Sequence, residues 1–537
     1  MTLKCHKLIV VVLLGVVFFI PFFSAQNFSP ATDEITHLPS GYSYWKTGEI
    51  TLNPQHPPLV KVAAAFPFLF MDLDFNNNDP NLIGPIRNEW VFGQNLLSSN
   101  NMDRLLLWGR LSVMLISILL GFYIYKWASE LFNYRAGIFS LFLYAFMPVI
   151  IANAQFVTTD LALACFSFIT FYYLWRFFSA KSGSVFGWKK HLVLSGLFLG
   201  LALGSKFSVA VFLPVIVLFI LVYAWQRGGE LNARIRQLVN LILIIAIPAF
   251  IVLYLVYLMP MDLGFYLRGL RTVYADWKPG YNFYLNGSFS PDGWWYYFLE
   301  AFIIKTPIPA LIAFAASILF YKKIKMDEWS RAIVFLPMIL FALITSIKAH
   351  NISIRYFIPV IPFLILYAGG GLSEVFRNIE ISKYRNYKNS TKTGIILVII
   401  LGIWYVSSAI RIYPDYMAYF NELVGGSKNG YKYLDDSNIE WGQDLKRLGK
   451  YQASNPDTKV IYSWRNSSPE YYGVKNLLIA DDSGWWREPE GRYIVNTFLL
   501  IRMQLLSKQR DDPSLNWLAL YEPVDKIGQS FFIYDFK

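Results

Sequence analysis

Residues 191–224 read HLVLSGLFLGLALGSKFSVAVFLPVIVLFILVYA, an apolar run interrupted only around Ser205 and Lys206. A hydrocarbon core about 30 Å thick takes about 20 helical residues to cross. The run is therefore either one over-long span or two short ones, 191–205 and 207–224. Nine further apolar stretches lie at 8–24, 105–125, 136–152, 161–178, 237–259, 298–320, 332–347, 355–373 and 394–412. Charge decides between the two counts, because Lys and Arg concentrate in cytoplasmic connections. With two short spans and a cytoplasmic N-terminus, about twenty basic residues fall inside, among them Lys4, Lys126, Arg135, Arg234, Lys322 and Arg377. The short outer connections then hold Lys206, Lys348 and Arg355. Merging the two spans would scatter the later clusters over both sides. The sequence thus predicts a mainly α, polytopic membrane protein of eleven spans with its C-terminus outside.

Composition agrees. The 537 residues are 55% hydrophobic, 18% aromatic and 16% charged, too apolar for a soluble enzyme of this length. The net charge of +12 would suggest a nucleic-acid partner in a soluble protein. Here residues 413–537 carry 17 acidic and 15 basic residues, which leaves this tail at −2 and residues 1–412 at +14. The basic excess thus belongs to the membrane domain, and nucleic acid is excluded as the partner. Cys5 and Cys165 both lie in or beside apolar runs, so no disulfide framework or cysteine-based zinc site is available. Residues 4–25 resemble a signal peptide, yet the run extends to Phe23 and keeping it preserves the topology, so it is read as an uncleaved anchor.

Residues 1–412 form the expected membrane domain, with large outer loops at 25–104 and 260–297, and 413–537 form an extracytoplasmic domain. Runs such as KVIYSW (459–464) and SFFIYDF (530–536) read as strands and GQDLKRLGKY (442–451) as a helix, which predicts a small α/β or α+β fold.

In the first outer loop, DEITHLPSGYSYWKTGEITLNPQHPPLVK (33–61) places Asp33 and Glu34 about ten residues beyond the first span. A carboxylate beside an apolar surface has its pKa raised by desolvation toward general-base values. TDEI is equally a helix start with acids in its first turn.

Asp33-Glu34, HPPL (56–59) with Lys61 after it, TTDLAL (158–163), GLALGSKFS (200–208) and RYFIPVIPFLILYAGG (355–370) together resemble the GT-C membrane glycosyltransferases. The likeness is to the protein O-mannosyltransferases of glycosyltransferase family 39 and to bacterial aminoarabinose transferases. The stretch from Tyr413 to Leu448 resembles a segment of bacterial members whose acceptors are mostly unassigned. The resemblance implies an inverting transfer of a sugar from a polyprenyl phosphate to a hydroxyl acceptor (protein, lipid or glycan) at the outer face of the plasma membrane. It implies Asp33 as general base, with Glu34 as its acidic partner; the alternative is that Glu34 faces away and caps the local helix. It makes Asp160 a further acidic site residue that meets the acceptor or a divalent ion; the alternative is a helix N-cap. It also brings Lys61 to the donor phosphate.

A departing lipid phosphate develops negative charge that fixed cations stabilise. The outer face offers few: Lys61, Lys206, Lys305, Lys348, His350 and Arg355. Lys206, in a tight connection near hydrocarbon, needs a partner or a purpose, or else snorkels. Arg355 carries a planar fork suited to phosphate, unless it merely anchors its span. Lys305, inside a span, calls for an ion pair or a donor-phosphate role. Tyr42, His56, Lys305 and His350 complete a candidate substrate groove. His37, His56 and His350 lack metal-ligand spacing, so a divalent cation is permitted, but no metal ligands or cofactor are assigned. The rival readings are a transporter or lipid-linked sugar flippase, and an anchored binding protein whose tail does the work.

Overall fold

The computed structural model describes residues 3–84, 88–179, 189–262, 264–275, 280–384, 388–463, 468–478 and 489–536. Eight described helices are long and apolar enough to cross a membrane: Cys5–Ala25, Met102–Leu131, Asp160–Phe178, Phe207–Gln226, Leu231–Val256, Glu328–Lys348, Ile354–Ile379 and Lys392–Arg411. Two further pairs qualify when taken together, Tyr134–Ala145 with Pro148–Ala154, bent by 64°, and Tyr297–Lys305 with Ile308–Leu319, bent by 117°. Each bend falls where a proline opens or immediately precedes the second helix, Pro148 in the first pair and Pro307 in the second, because the residue before a proline leaves the α region and the ring lacks an N–H.

The decisive apolar run does break at Lys206. The helix Lys189–Leu203 ends just before it, and a 3₁₀ turn, Phe207–Phe212, begins just after. At 15 residues the first of these helices is only about 22 Å long. The expected eleven spans therefore become eight straight ones, ten with the bent pairs, and one short helix. Small residues hold that helix in place. A Cβ at Gly196 would stand 2.3 Å from the Ile245 carbonyl oxygen, and one at Gly200 2.5 Å from that of Ala249. Only glycine permits the short helix to lie directly on Leu231–Val256, the close backbone approach typical of small-xxx-small pairs in lipid.

Beyond Arg411 the chain crosses the end of the bundle in four short 3₁₀ turns, Tyr416–Ala418, Glu422–Val424, Ser427–Lys432 and Asp436–Asn438. Met417 and Trp441 share an apolar cluster with Phe28, Ala31, Ile151 and Phe156 of the membrane domain. The tail is thus packed onto the bundle from its first residues.

A hairpin pairs β1 (Phe283–Leu285) with β2 (Ser288–Ser290). The tail's own sheet has β3 (Lys459–Ile461), β4 (Leu477–Leu478), β5 (Gly491–Asn496), β6 (Asp525–Ile527) and β7 (Phe531–Phe536), in the order β4-β3-β5-β7-β6. β3 runs parallel to β4 and β5, and β7 runs antiparallel to β5 and β6. Side chains alternate between its faces. Ile461, Tyr493 and Val495 meet Leu500 and Met503 of the helix Thr497–Arg510, while Val460, Ile494 and Ile533 meet Leu445 and Leu448 of Leu445–Ser454. Both expected strands and the expected helix are present; Trp464, at the end of the first run, lies outside the described residues.

Candidate active site

Asp33 is in the first turn of Thr32–Thr47, Asp160 opens Asp160–Phe178, Lys206 follows the short helix, and Arg355 lies in the 3₁₀ turn Ile354–Val360. Far apart in sequence, they meet at one end of the bundle as two ion pairs. Arg355 Nη1 donates to Asp33 Oδ2 at 3.0 Å, and Lys206 Nζ to Asp160 Oδ1 at 2.5 Å. Tyr356 joins the pairs: Lys206 Nζ stands 4.5 Å and the Arg355 guanidinium 5.3 Å from its ring centroid. The Asp33 side chain is 25% exposed, whereas that of Asp160 is 4% exposed. Asp33 is the carboxylate that an incoming molecule can reach. Among the described residues the buried Arg355 Nε has no hydrogen-bond partner.

Glu34 faces the other way. Its buried carboxylate takes Arg110 Nε at 2.9 Å and Nη2 at 2.7 Å, together with the backbone N–H of Ala31 at 2.9 Å and of Val157 at 3.0 Å. Arg110 spends its remaining donors on the carbonyls of Ala25, Phe28 and Ser29. This departs from the expected acid pair. Consecutive helical residues point about 100° apart, so Asp33 and Glu34 cannot both line one groove. His37, one turn beyond Asp33, bonds the Val157 carbonyl through Nδ1 at 2.8 Å. Glu34 and His37 therefore clamp both polar groups of Val157 and set the segment that leads to Asp160.

Lys61 is fully buried, and its ammonium donates to Tyr44 Oη, to the Asn53 carbonyl and Oδ1, and to the His56 carbonyl at 2.7–3.3 Å. Three N–H bonds shared among four oxygens leave none for a phosphate, contrary to the expectation. Lys305 makes no ion pair with a described residue; Nζ donates to the carbonyls of Met417 and Asn438 at 2.8 and 2.7 Å and sits 4.2 Å from the Phe420 ring centroid, tying the sharp elbow to the tail. Tyr42 packs edge-on against Phe68 and Phe75, and His350 lies beside Phe283 of the hairpin. His56 does reach the cluster, its ring crossing that of His37 at 5.1 Å. Burial, with nearby Lys61 and Arg355, lowers both imidazole pKa values and keeps the rings neutral. Among the described residues no group of three His, Cys, Asp or Glu is placed to hold a metal ion.

The tail supplies groups that the sequence reading did not assign. Trp441 lies under the Arg355 guanidinium at 3.9 Å, a cation–π contact that presents the fork edge-on. The Ser29 N–H donates to the Gln443 carbonyl at 2.9 Å and the Thr32 N–H to the Trp441 carbonyl at 2.8 Å, so the tail fixes the residue directly before Asp33. Asp436 accepts from Tyr281 Oη at 2.8 Å, and Arg502 bonds both Tyr281 and Asp435. Burial raises the Asp435 carboxyl to about 8 against the opposing pull of Arg502. With a raised folded-state pKa, its stability contribution is complete below the ordinary carboxylate value and is lost as pH rises through about 8. The melting temperature is expected to fall between pH 6 and pH 8, and Asp435→Asn to flatten that slope; equal slopes in the two proteins would refute the assignment.

A family model described as dolichyl-phosphate-mannose-protein mannosyltransferase matches residues 102–253. ArnT from Cupriavidus metallidurans in the apo state superposes with a TM-score of 0.50 at 14% identity, over 98% of this chain and 97% of that one. The same protein bound to undecaprenyl phosphate gives 0.50 at 15% identity over the same shares. The chain shares the fold of these proteins, and residues 102–253 are similar to the mannosyltransferase family. The apo oligosaccharyltransferase of Archaeoglobus fulgidus also shares the fold, with a TM-score of 0.52 at 12% identity over 95% of this chain and 72% of that one. No curated protein matches the chain in sequence. The matched segment 102–253 contains Arg110, Asp160 and Lys206 but not Asp33 or Arg355. The family match and the ion pairs thus rest on partly different residues.

Proposed function

We propose that the protein is an inverting glycosyltransferase that moves a sugar from a polyprenyl phosphate to a hydroxyl acceptor. The observation that carries this is the Arg355–Asp33 pair, with its partly exposed carboxylate and an Arg355 Nε that has no partner among the described residues. In the resting state Arg355 neutralises Asp33. A donor phosphate offers the guanidinium a second anion, and the more Arg355 turns to phosphate, the freer the Asp33 carboxylate is to meet the acceptor hydroxyl. Asp33 then takes the proton of the acceptor hydroxyl as the oxygen attacks the anomeric carbon from the face opposite the phosphate. The C–O bond to phosphate breaks with inversion, and Arg355 and Lys206 hold the charge left on the lipid phosphate. Asp160 orients Lys206. Glu34 and Lys61 are positioning residues in this scheme.

Purified protein is tested with radiolabelled polyprenyl-phosphate hexoses and with protein, lipid and glycan acceptors. Label appearing on an acceptor supports the reading; movement of the intact lipid-linked sugar between leaflets without transfer would instead support the flippase. Arg355→Lys keeps the charge and loses the fork, which is worth about 2 kcal/mol or about a thirtyfold fall in kcat/KM. An unchanged kcat/KM for the donor would remove Arg355 from the phosphate.

The positive-inside pattern supports a cytoplasmic N-terminus and an extracytoplasmic tail in the plasma membrane, the inner membrane of a two-membrane cell. Leu520 is 83% exposed on the tail. Leu520→Cys is therefore expected to react with a membrane-impermeant maleimide in intact cells, once an outer membrane, if present, has been permeabilised. Labelling only after lysis would reverse the orientation.

A further inference from the structure

At the end of the bundle away from Arg355, the helix Ile308–Leu319, the turn that follows it, and the helices Glu328–Lys348 and Ile361–Tyr384 enclose a cavity of about 260 Å³. Its walls are Ile318, Tyr321, Met326, Phe335 and neighbouring side chains, almost wholly apolar, with Arg331 the one charged residue lining it. Arg331 is exposed to solvent at the rim, and no ion pair among the described residues joins it to the two acids within one turn of it. Asp327 instead caps its own helix through Ser330 N and Oγ. Lys322, Lys323 and Lys325 lie in the same turn as the lining residues Tyr321 and Ile324, and Ile318 and Leu319 are 66% and 80% exposed.

An apolar slot that opens onto exposed aliphatic side chains suits an acyl chain, and an exposed guanidinium at its rim suits a phosphodiester. The lysines alone would say only that this end lies inside. What goes further is the exposed Arg331 on the cavity wall. We infer that this cavity binds an anionic glycerophospholipid, with the phosphodiester on Arg331 and one acyl chain against Ile318 and Phe335. The helix Glu328–Lys348 is 21 residues, about 31 Å, long and leads from Arg331 toward the turn that carries Arg355. The lipid bound here is therefore not the donor in the ion-pair cluster, and its site stands whether or not the transferase reading holds.

Delipidated full-length protein in detergent is titrated with phosphatidylglycerol, with phosphatidylcholine and with inorganic phosphate, read by native mass spectrometry and by melting temperature. The expected result is retained phosphatidylglycerol, at least tenfold weaker retention of phosphatidylcholine, and no effect of inorganic phosphate. Arg331→Gln is expected to weaken phosphatidylglycerol about tenfold. Ile318→Trp, which narrows the slot and keeps the charge, is expected to weaken both lipids. Equal retention of the two lipids, an effect of inorganic phosphate equal to that of lipid, or unchanged binding in both variants overturns the inference.

Discussion

Asp33→Asn is expected to reduce the transfer rate at least a hundredfold while leaving donor binding intact. The amide has the same shape and cannot take a proton, and positioned proton transfer contributes about 10²–10⁴ in rate. The same change deprives Arg355 of its resting anion, so the guanidinium becomes freer to hold phosphate. The signature is therefore a collapse of kcat with a KM for the donor that is unchanged or lower, which simple damage to the site does not produce. Asp160→Asn provides the contrast. Its carboxylate is 4% exposed and committed to Lys206, so it is expected to raise the KM for the donor and to spare more of kcat. Full transfer by Asp33→Asn would end the base assignment. Losses of equal kind in both variants would mean that the two ion pairs act as one phosphate clamp.

Lys206 and Arg355 were legible in the sequence because they break a rule. Basic residues belong inside, and these two stand on the outer side of the predicted topology. Membrane physics makes such exceptions costly, so they arrive with partners, and here the partners are the two acids that the same reading placed on the same face. Lys61 and Lys305 carried the same signal and have another use, because backbone carbonyls from distant turns satisfy them and no local pattern announces a carbonyl. Trp441 and the Gln443 carbonyl were out of reach for a related reason. Their contacts with Arg355 and Ser29 join residues far apart in sequence, the second pair separated by most of the chain.

The alternative left open for Glu34, facing away from Asp33, had a physical basis in the sequence. Adjacent residues on a helix face different directions, and Arg110 stands inside the apolar run 105–125, where an unpaired guanidinium is not tolerated. An acid for it was required, and Glu34 is that acid. The break at Lys206 was also legible. The length of the helix before it was not, because Gly196 and Gly200 act only against the helix they touch.

The Glu34–Arg110 pair gives the largest expected effect on stability. Both side chains are buried, at 0% and 2% exposure, and every donor and acceptor of the pair is used. Replacing such a pair by apolar residues can be nearly neutral, whereas removing one partner strands a buried charge and costs about 3–5 kcal/mol. Glu34→Ala leaves Arg110 with three carbonyls and no anion, and it frees the N–H groups of Ala31 and Val157. Arg110→Leu leaves a buried carboxylate with two backbone donors. Each single variant is expected to lower the melting temperature by several degrees, and the double variant Glu34→Met with Arg110→Leu to recover part of the loss, a coupling that neighbours in one network show. The double variant still lacks the hold on Val157 N–H, so its stability is expected to return further than its kcat. Single variants that melt with the wild type would show that the pair does not hold this end of the bundle. Additive losses in the double variant would show that Glu34 and Arg110 act through separate contacts, and the clamp that places Asp33 against Asp160 would then have to lie in the tail.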